Sequence, residues 1–221
     1  MILKIGVLAS GRGSNFQAVL DAIKSGRIKA EISLLISDKP DAYALTRARN
    51  AGIEAFYLDP KDFFSFSPAK DAYFEKIAEE FTAKGIGLVL LAGFMRIVKK
   101  PLLDAFPWKV MNIHPALLPS FPGLHGQRQA EGYGVKISGC TVHFVDEGMD
   151  TGPVIIQAAV PVRHDDTEDS LSERILKCEH KIYPEAVRLF AEGRLRVNGK
   201  KVEIKGAREN ETPLISPPIE E

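Results

Sequence analysis

Apolar positions along the chain fall into two alternating rhythms. From Ile2 to Leu8 there is little alternation and a β-favouring composition, which is how a strand buried on both faces reads. A turn rich in Gly and Ser follows. Then Phe16, Val19, Leu20 and Ile23 recur at helical spacing until Gly26, with Ser14 available as a cap. The same strand, loop, helix order repeats. Ile32 to Ile36 reads as strand, Tyr43 to Ala51 as a helix ended by Gly52, and Ile53 to Leu58 as a short strand. Parallel strands joined by crossover helices are the natural architecture for such a pattern.

Further along, Lys70 to Lys84 predicts a charged helix with Tyr73, Phe74, Ile77, Ala78 and Phe81 on one stripe, stopped by Gly85. Leu88 to Leu91 reads as a central strand, Lys99 to Ala105 as a short helix and Lys109 to Ile113 as another strand. Pro115 to Pro122 is too proline-rich for helix or central strand and must be an ordered loop. Ile137 to Val145 and Val154 to Pro161 predict two antiparallel strands that close the sheet, with a turn between them. Thr167 to Ala191 is helical with a kink expected near Pro184, and Leu195 to Ile204 resembles a hairpin around Asn198 and Gly199. The fold class is therefore α/β: a Rossmann-like, mostly parallel sheet with helices on both faces and an antiparallel C-terminal part. One domain is expected over residues 1–205, with a mobile tail over 206–221.

Composition narrows the function. The 221 residues balance 29 Lys and Arg against 29 Asp and Glu, so no global positive field recruits a nucleic-acid backbone. Cys140 and Cys178 are the only cysteines and lack a CxxC spacing, which suggests buried thiols, neither a disulfide scaffold nor a zinc site. The opening apolar run enters a Gly-rich turn in place of a cleavage site, and no apolar stretch reaches the roughly 18 residues that span a bilayer. A cytoplasmic protein with no membrane association is the expectation.

Three segments carry chemistry. Ser10 to Asn15, between a strand and a helix, can turn its amides toward an anion, because a helix N-terminus offers unpaired N–H groups and the positive end of a dipole. Phe16 stands where the dinucleotide fingerprint needs Gly, and the Gly-Lys-Ser/Thr of a Walker loop is absent. The glycines would equally serve a tight turn. Asn112 and His114 end a strand, where ligand sites of open α/β sheets collect, and alternation puts them on the same side. A lone strand histidine is more often a satisfied core residue; the adjoining Pro-rich loop and Asn shift the balance toward function. The turn from Asp146 to Gly152 holds Asp146, Glu147 and Asp150 but lacks the periodicity of a calcium loop. Residue types alone leave open which carboxylate matters.

Together these segments resemble the glycinamide ribonucleotide formyltransferases of purine synthesis. The resemblance rests on Gly11 to Asn15, Leu91-Ala92-Gly93-Phe94-Met95-Arg96, Asn112-Ile113-His114-Pro115, Leu117-Leu118-Pro119 with Pro122-Gly123, the stretch from His143 to Pro153, and Glu179-His180 with Tyr183-Pro184. It covers roughly residues 1–197 in collinear order. It implies the formyltransferase fold and transfer of a formyl group, without a metal, from 10-formyltetrahydrofolate to the amine of glycinamide ribonucleotide. Asn112, His114 and Asp150 match the catalytic positions: Asn112 and a protonated His114 as donors to the tetrahedral oxyanion, Asp150 as partner of the imidazolium and acceptor or relay for the amine proton.

The same resemblance assigns the ribonucleotide to Gly13, Ser14, Asn15, Lys109 and Glu179. It assigns the folate to Phe94, Met95, Arg96, Ile97 and Val98, to Val145, Asp146 and Gly148, and to Lys70 where relatives carry an Arg, a point charge in place of a planar fork. His125 matches a family position with a supporting polar role or a structural one, and His143 reads as a core residue or one behind the site. Partners are small molecules, with the chain acting as monomer or homodimer. Relatives that formylate initiator methionyl-tRNA, hydrolyse formyltetrahydrofolate or modify sugar nucleotides share the trio. The tRNA enzyme normally adds a C-terminal domain and a basic surface, and the hydrolase an N-terminal regulatory domain, neither of which this sequence suggests. A noncatalytic nucleotide- or folate-binding module is the alternative from another class.

Overall fold

The computed structural model describes residues 2–63, 71–208 and 212–217. Five parallel strands form its first half: β1 (Leu3–Ala9), β2 (Ala30–Ser37), β3 (Glu54–Tyr57), β4 (Leu88–Leu91) and β5 (Val110–His114). Next come β6 (Ile137–Phe144), antiparallel to β5, and β7 (Val154–Pro161), antiparallel to β6. A terminal hairpin, β8 (Leu195–Asn198) and β9 (Lys201–Ile204), joins β7 through the single pair Val154 and Lys201. The order across the sheet is β3-β2-β1-β4-β5-β6-β7-β9-β8. The chain leaves β1 toward β2 on one side and resumes at β4 on the other, so a crevice opens where β1 and β4 end.

Period-two alternation sorts the strand side chains into two cores. On one face Val7, Leu90, Met111, Ile113, Val142 and Phe144 pack with α1 (Ser14–Lys24), α2 (Tyr43–Asn50) and α6 (Glu168–Ala191). On the other, Leu8, Val89, Leu91 and Val110 pack with α3 (Ala72–Ala83) and α4 (Lys100–Ala105). Asn112 and His114 share that second face with Val110, beyond the point where α4 covers it. There the Pro-rich loop takes over. It is pinned by Thr141, whose hydroxyl donates to the Ala116 carbonyl at 2.7 Å and accepts from the Leu118 amide at 3.1 Å.

The pattern-based elements recur within one or two residues of their expected ends, with informative exceptions. Gly13, in the left-handed region at φ 67°, precedes α1 as its cap, and no side-chain cap forms, so Ser14 is the first helical residue and not a cap. The small α5 (Gly126–Tyr133) was not expected: it is short, carries glycine at its first residue and holds few apolar positions. α6 continues as one helix through Pro184. Its start is fixed by a reciprocal cap in which Thr167 Oγ1 accepts from the Ser170 amide and Ser170 Oγ from the Thr167 amide. The expected helix start at Lys70 and residues 209–211 and 218–221 of the expected tail lie outside the described residues. Cys140 is buried and Cys178 only partly so. Among the described residues no helix is long and apolar enough to cross a membrane.

Tyr183 ties α6 to the sheet. Its fully buried hydroxyl lies 3.0 Å from both the Leu91 and Met111 carbonyls, at the strands that deliver the crevice loops. Replacing Tyr183 by Phe keeps the ring and removes the donor. We expect a loss of about 1–2 kcal/mol in urea unfolding; an unchanged midpoint would show that the hydroxyl contributes nothing net.

Candidate active site

Asn112 and His143 are direct partners across the antiparallel β5–β6 pair, and His114 faces Thr141 two positions on. That register sets the chemistry of one wall. His143 Nδ1–H donates to the Phe144 carbonyl at 2.9 Å, so the neutral ring presents a lone pair at Nε2, which accepts from Asn112 Nδ2 at 3.2 Å. The Asn112 amide is thereby oriented, with its NH₂ toward His143 and its second N–H left for a ligand. Burial pushes the His143 imidazole below its ordinary value, against the opposing pull of the Phe144 carbonyl and the Asp150 charge. It therefore acts as a fixed acceptor.

His114, almost fully buried, is engaged at both nitrogens. Nε2–H donates to the Phe121 carbonyl at 2.8 Å, and Nδ1 lies 3.4 Å from Asp150 Oδ2, within ion-pair reach. Asp150 Oδ2 also accepts from the Gly123 amide at 2.7 Å, and Oδ1 lies 3.6 Å from His143 Nε2. Asp150 holds a left-handed φ of 54°, as do Phe121 at 53° and Gly123 at 82°. Backbone in this region is costly for non-glycine residues and is stored at sites that need it. Two loops thus meet over one carboxylate. Donation from His114 Nε2 to an oxyanion requires a ligand to take the place of the Phe121 carbonyl.

These groups line a cleft of about 780 Å³, a volume ordinary for a small-molecule site. Phe94, Met95, Arg96, Ile97, Val98, Val145, Asp146 and Gly148 line it as well. Phe94 and Val98 are buried, whereas Met95 and Ile97 are exposed at the cleft. The loop is stitched to β1, since the Ser10 amide donates to the Gly93 carbonyl and Ser10 Oγ accepts from the Met95 amide. Arg96 Nε donates to the buried Asp38 at 2.8 Å. Asp146 sits under a partial burial penalty, which hydrogen bonds from Thr151 and Lys200 outweigh, holding its carboxyl below the usual range. It serves the loop more than the cleft.

A second arrangement adjoins the N-terminus of α1. A Cβ on Gly13 would approach that of Ala44 to 2.7 Å, so glycine is required by both φ and packing. The Gln17 amide takes the Gly13 carbonyl, leaving the amides of Ser14, Asn15 and Phe16 ahead of the first intrahelical acceptor. Asn15 Nδ2 donates to Glu179 Oε2 at 2.7 Å, deep in the interior. Burial raises the Glu179 carboxyl above its usual value, partly offset by that bond.

Lys109 is not brought to either arrangement. It is exposed at the start of β5, the opposite end of the strand from His114, because the site gathers at the carboxyl ends. Lys70 lies outside the described residues. Sequence reasoning missed Leu124, Gln127 and Gln129, which also line the cleft; they lie in a loop and the short α5, where no periodicity marks them. His125 lines the cleft in an exposed left-handed conformation, 4.0 Å from Glu168.

Residues 3–187 match the family model for formyl transferases. The phosphoribosylglycinamide formyltransferase of Escherichia coli (strain K12) is 42% identical over 206 residues, 93% of this chain and 95% of that protein. The trifunctional purine biosynthetic protein adenosine-3 of Drosophila melanogaster is 46% identical over 192 residues, and the chain spans 14% of its length. The solved structure of glycinamide ribonucleotide transformylase 1 from Symbiobacterium toebii is similar with a TM-score of 0.88 at 54% identity, covering 92% of this chain and 94% of that one.

The His143 shift has a stability consequence. A histidine whose folded value lies below its unfolded one binds fewer protons when folded, so stability falls as pH drops below the unfolded value of about 6.5. His180, lowered by burial, acts in the same sense, and Glu179 in the opposite one. In urea unfolding between about pH 7 and 5, His143→Gln should therefore lose stability less steeply than the parent, by up to about 1.4 kcal/mol per pH unit. Equal slopes would mean that His143 protonates as readily folded as unfolded.

Proposed function

The chain belongs to the formyl transferase family, and we propose that it transfers the formyl group of 10-formyltetrahydrofolate to the primary amine of glycinamide ribonucleotide, giving formylglycinamide ribonucleotide and tetrahydrofolate. The observation that carries this reading is the convergence of Asn112, His114 and Asp150 on one cleft, beside a helix N-terminus with open amides.

Attack of the neutral amine on the formyl carbon forms a tetrahedral oxyanion. The free N–H of Asn112, already oriented by His143, is a preorganised donor to it, and one such donor contributes about 3 kcal/mol in a water-poor site. His114 becomes a second donor when the ligand displaces the Phe121 carbonyl from Nε2. The attacking nitrogen then loses a proton, and N10 of the folate must gain one as the carbon–nitrogen bond breaks. Asp150, next to His114 Nδ1, is placed to take the first proton through water and, with the imidazole, to return one to N10. Protons and bonds balance without an external reductant or oxidant.

The ribonucleotide phosphate belongs at the amides of Gly13, Ser14 and Asn15, where an anion meets the positive end of α1. Glu179 is the partner of the ribose hydroxyls. The folate occupies the 93–98 and 145–150 walls, its ring against backbone and apolar side chains, its acidic tail toward Arg96.

Purified protein incubated with 10-formyltetrahydrofolate should release tetrahydrofolate with glycinamide ribonucleotide and not with tRNA or water alone. Asp150→Asn and His114→Ala should each lower the rate about a hundredfold or more while unfolding as cooperatively as the parent. Near-normal turnover in both would overturn the catalytic assignment. The rate should rise as the attacking amine deprotonates; a flat profile from about pH 5 to 10 would contradict attack by the neutral amine.

A further inference from the structure

The loop between β6 and β7 is closed on a single carboxylate. Asp146 Oδ1 accepts from Thr151 Oγ1 at 2.6 Å and from the Gly148 amide at 3.1 Å. The closure leaves no slack, since a Cβ on Gly148 would stand 2.1 Å from Thr151 Oγ1 and one on Gly152 1.7 Å from the Phe144 carbonyl. Asp150 sits inside this ring with its left-handed backbone. Lys200, in the turn of the β8–β9 hairpin, reaches the two ends of this ring from elsewhere in the chain. Its Nζ donates to Asp146 Oδ2 at 2.9 Å and to the Thr151 carbonyl at 2.8 Å. It bridges the two ends of the segment that carries Asp150. Lys200 also lies beyond residue 187, where the family match ends.

We propose that Lys200 is a positioning residue for Asp150. By holding the Asp146 carboxylate and the Thr151 carbonyl together, the hairpin turn keeps the loop in the one conformation that brings Asp150 to His114 Nδ1 and the Gly123 amide. Its catalytic part rests on the formyl-transfer reading above; its structural part does not. A surface ion pair alone is a weak contact. Lys200 does more than pair a charge, because its second bond goes to a backbone carbonyl one residue after Asp150 and so restrains the main chain directly.

The test uses the full chain with Lys200→Met, which keeps the aliphatic stem and removes the donor, and Lys200→Arg, which keeps charge and donors. Hydrogen exchange of the backbone amides over residues 146–152 is followed beside steady-state kinetics. In Lys200→Met, exchange in that segment should quicken about fivefold and kcat fall about three- to tenfold, with KM for the ribonucleotide unchanged and the melting temperature within about 2 °C of the parent. Lys200→Arg should restore most of both. Unchanged exchange in Lys200→Met would overturn the contact, whatever the activity. Faster exchange with unchanged kcat would overturn the positioning role. A parent chain that shows no formyl transfer, but whose loop loosens in Lys200→Met, would overturn the functional reading while supporting the restraint on the loop.

Discussion

The antiparallel seam between β5 and β6 is the constraint on which the site depends. The sheet is parallel up to β5, so the carboxyl ends of its strands open toward one crevice. Reversing direction at β6 lays a second strand beside β5 and sets Asn112 opposite His143 and His114 opposite Thr141. Cross-strand partners lie within about 4.5–5.5 Å at Cβ, close enough for polar side chains to bond directly. A shift of register by one residue would send Asn112 and His114 into the apolar core beneath α6 and bring Met111 and Ile113 into the cleft. The alternation that buries those two residues therefore also aims Asn112 and His114 into the cleft.

Burial then makes the polar groups interdependent. His143 and His114 are nearly inaccessible, and a buried polar atom without a partner costs roughly 1–3 kcal/mol. Each nitrogen is consequently spoken for: His143 by the Phe144 carbonyl and Asn112, His114 by the Phe121 carbonyl and Asp150. Asp150 in turn holds the Gly123 amide, and its own loop is closed by Asp146 and Lys200. Loops from the Pro-rich segment and from the β6–β7 turn are thus fixed by the same polar residues that line the cleft. Fixing donors before the ligand arrives is what makes them effective toward a developing charge.

Much of this was legible in the sequence because period and punctuation are local signals. The buried strands, the helical stripes of α1 and α3 and the Asn112–His114 pair follow from spacing alone. Asp150 did not follow from spacing: three carboxylates share its turn, and only the family resemblance singled it out in the sequence, whereas in the structure a positive φ and contacts to Gly123 and His114 set it apart. Lys109 misled for the complementary reason. The family resemblance assigned it to the ribonucleotide, but strand direction places it at the end of β5 opposite His114. α5 escaped because glycine and polar residues dominate it and nothing in its pattern repeats. Lys200 is invisible to any local reading, since its partners lie 54 and 49 residues away.

The acceptor side obeys a different logic from the catalytic wall. Among the described residues, Asn15 Oδ1 is buried without a partner and Glu179 holds only the bond from Asn15, while burial raises its carboxyl. Both groups lack donors, not acceptors. A ligand that satisfies them must bring hydroxyl or amine hydrogens, whereas the adjoining amides of α1 call for an anion. A molecule with a phosphate at one end and a diol a short distance away meets both demands at once, and a neutral or purely acidic ligand meets only one. On the formyl-transfer reading proposed above, Asn112, His114 and Asp150 serve the reaction, whereas the pairing of a donor-seeking carboxylate with open amides selects the acceptor.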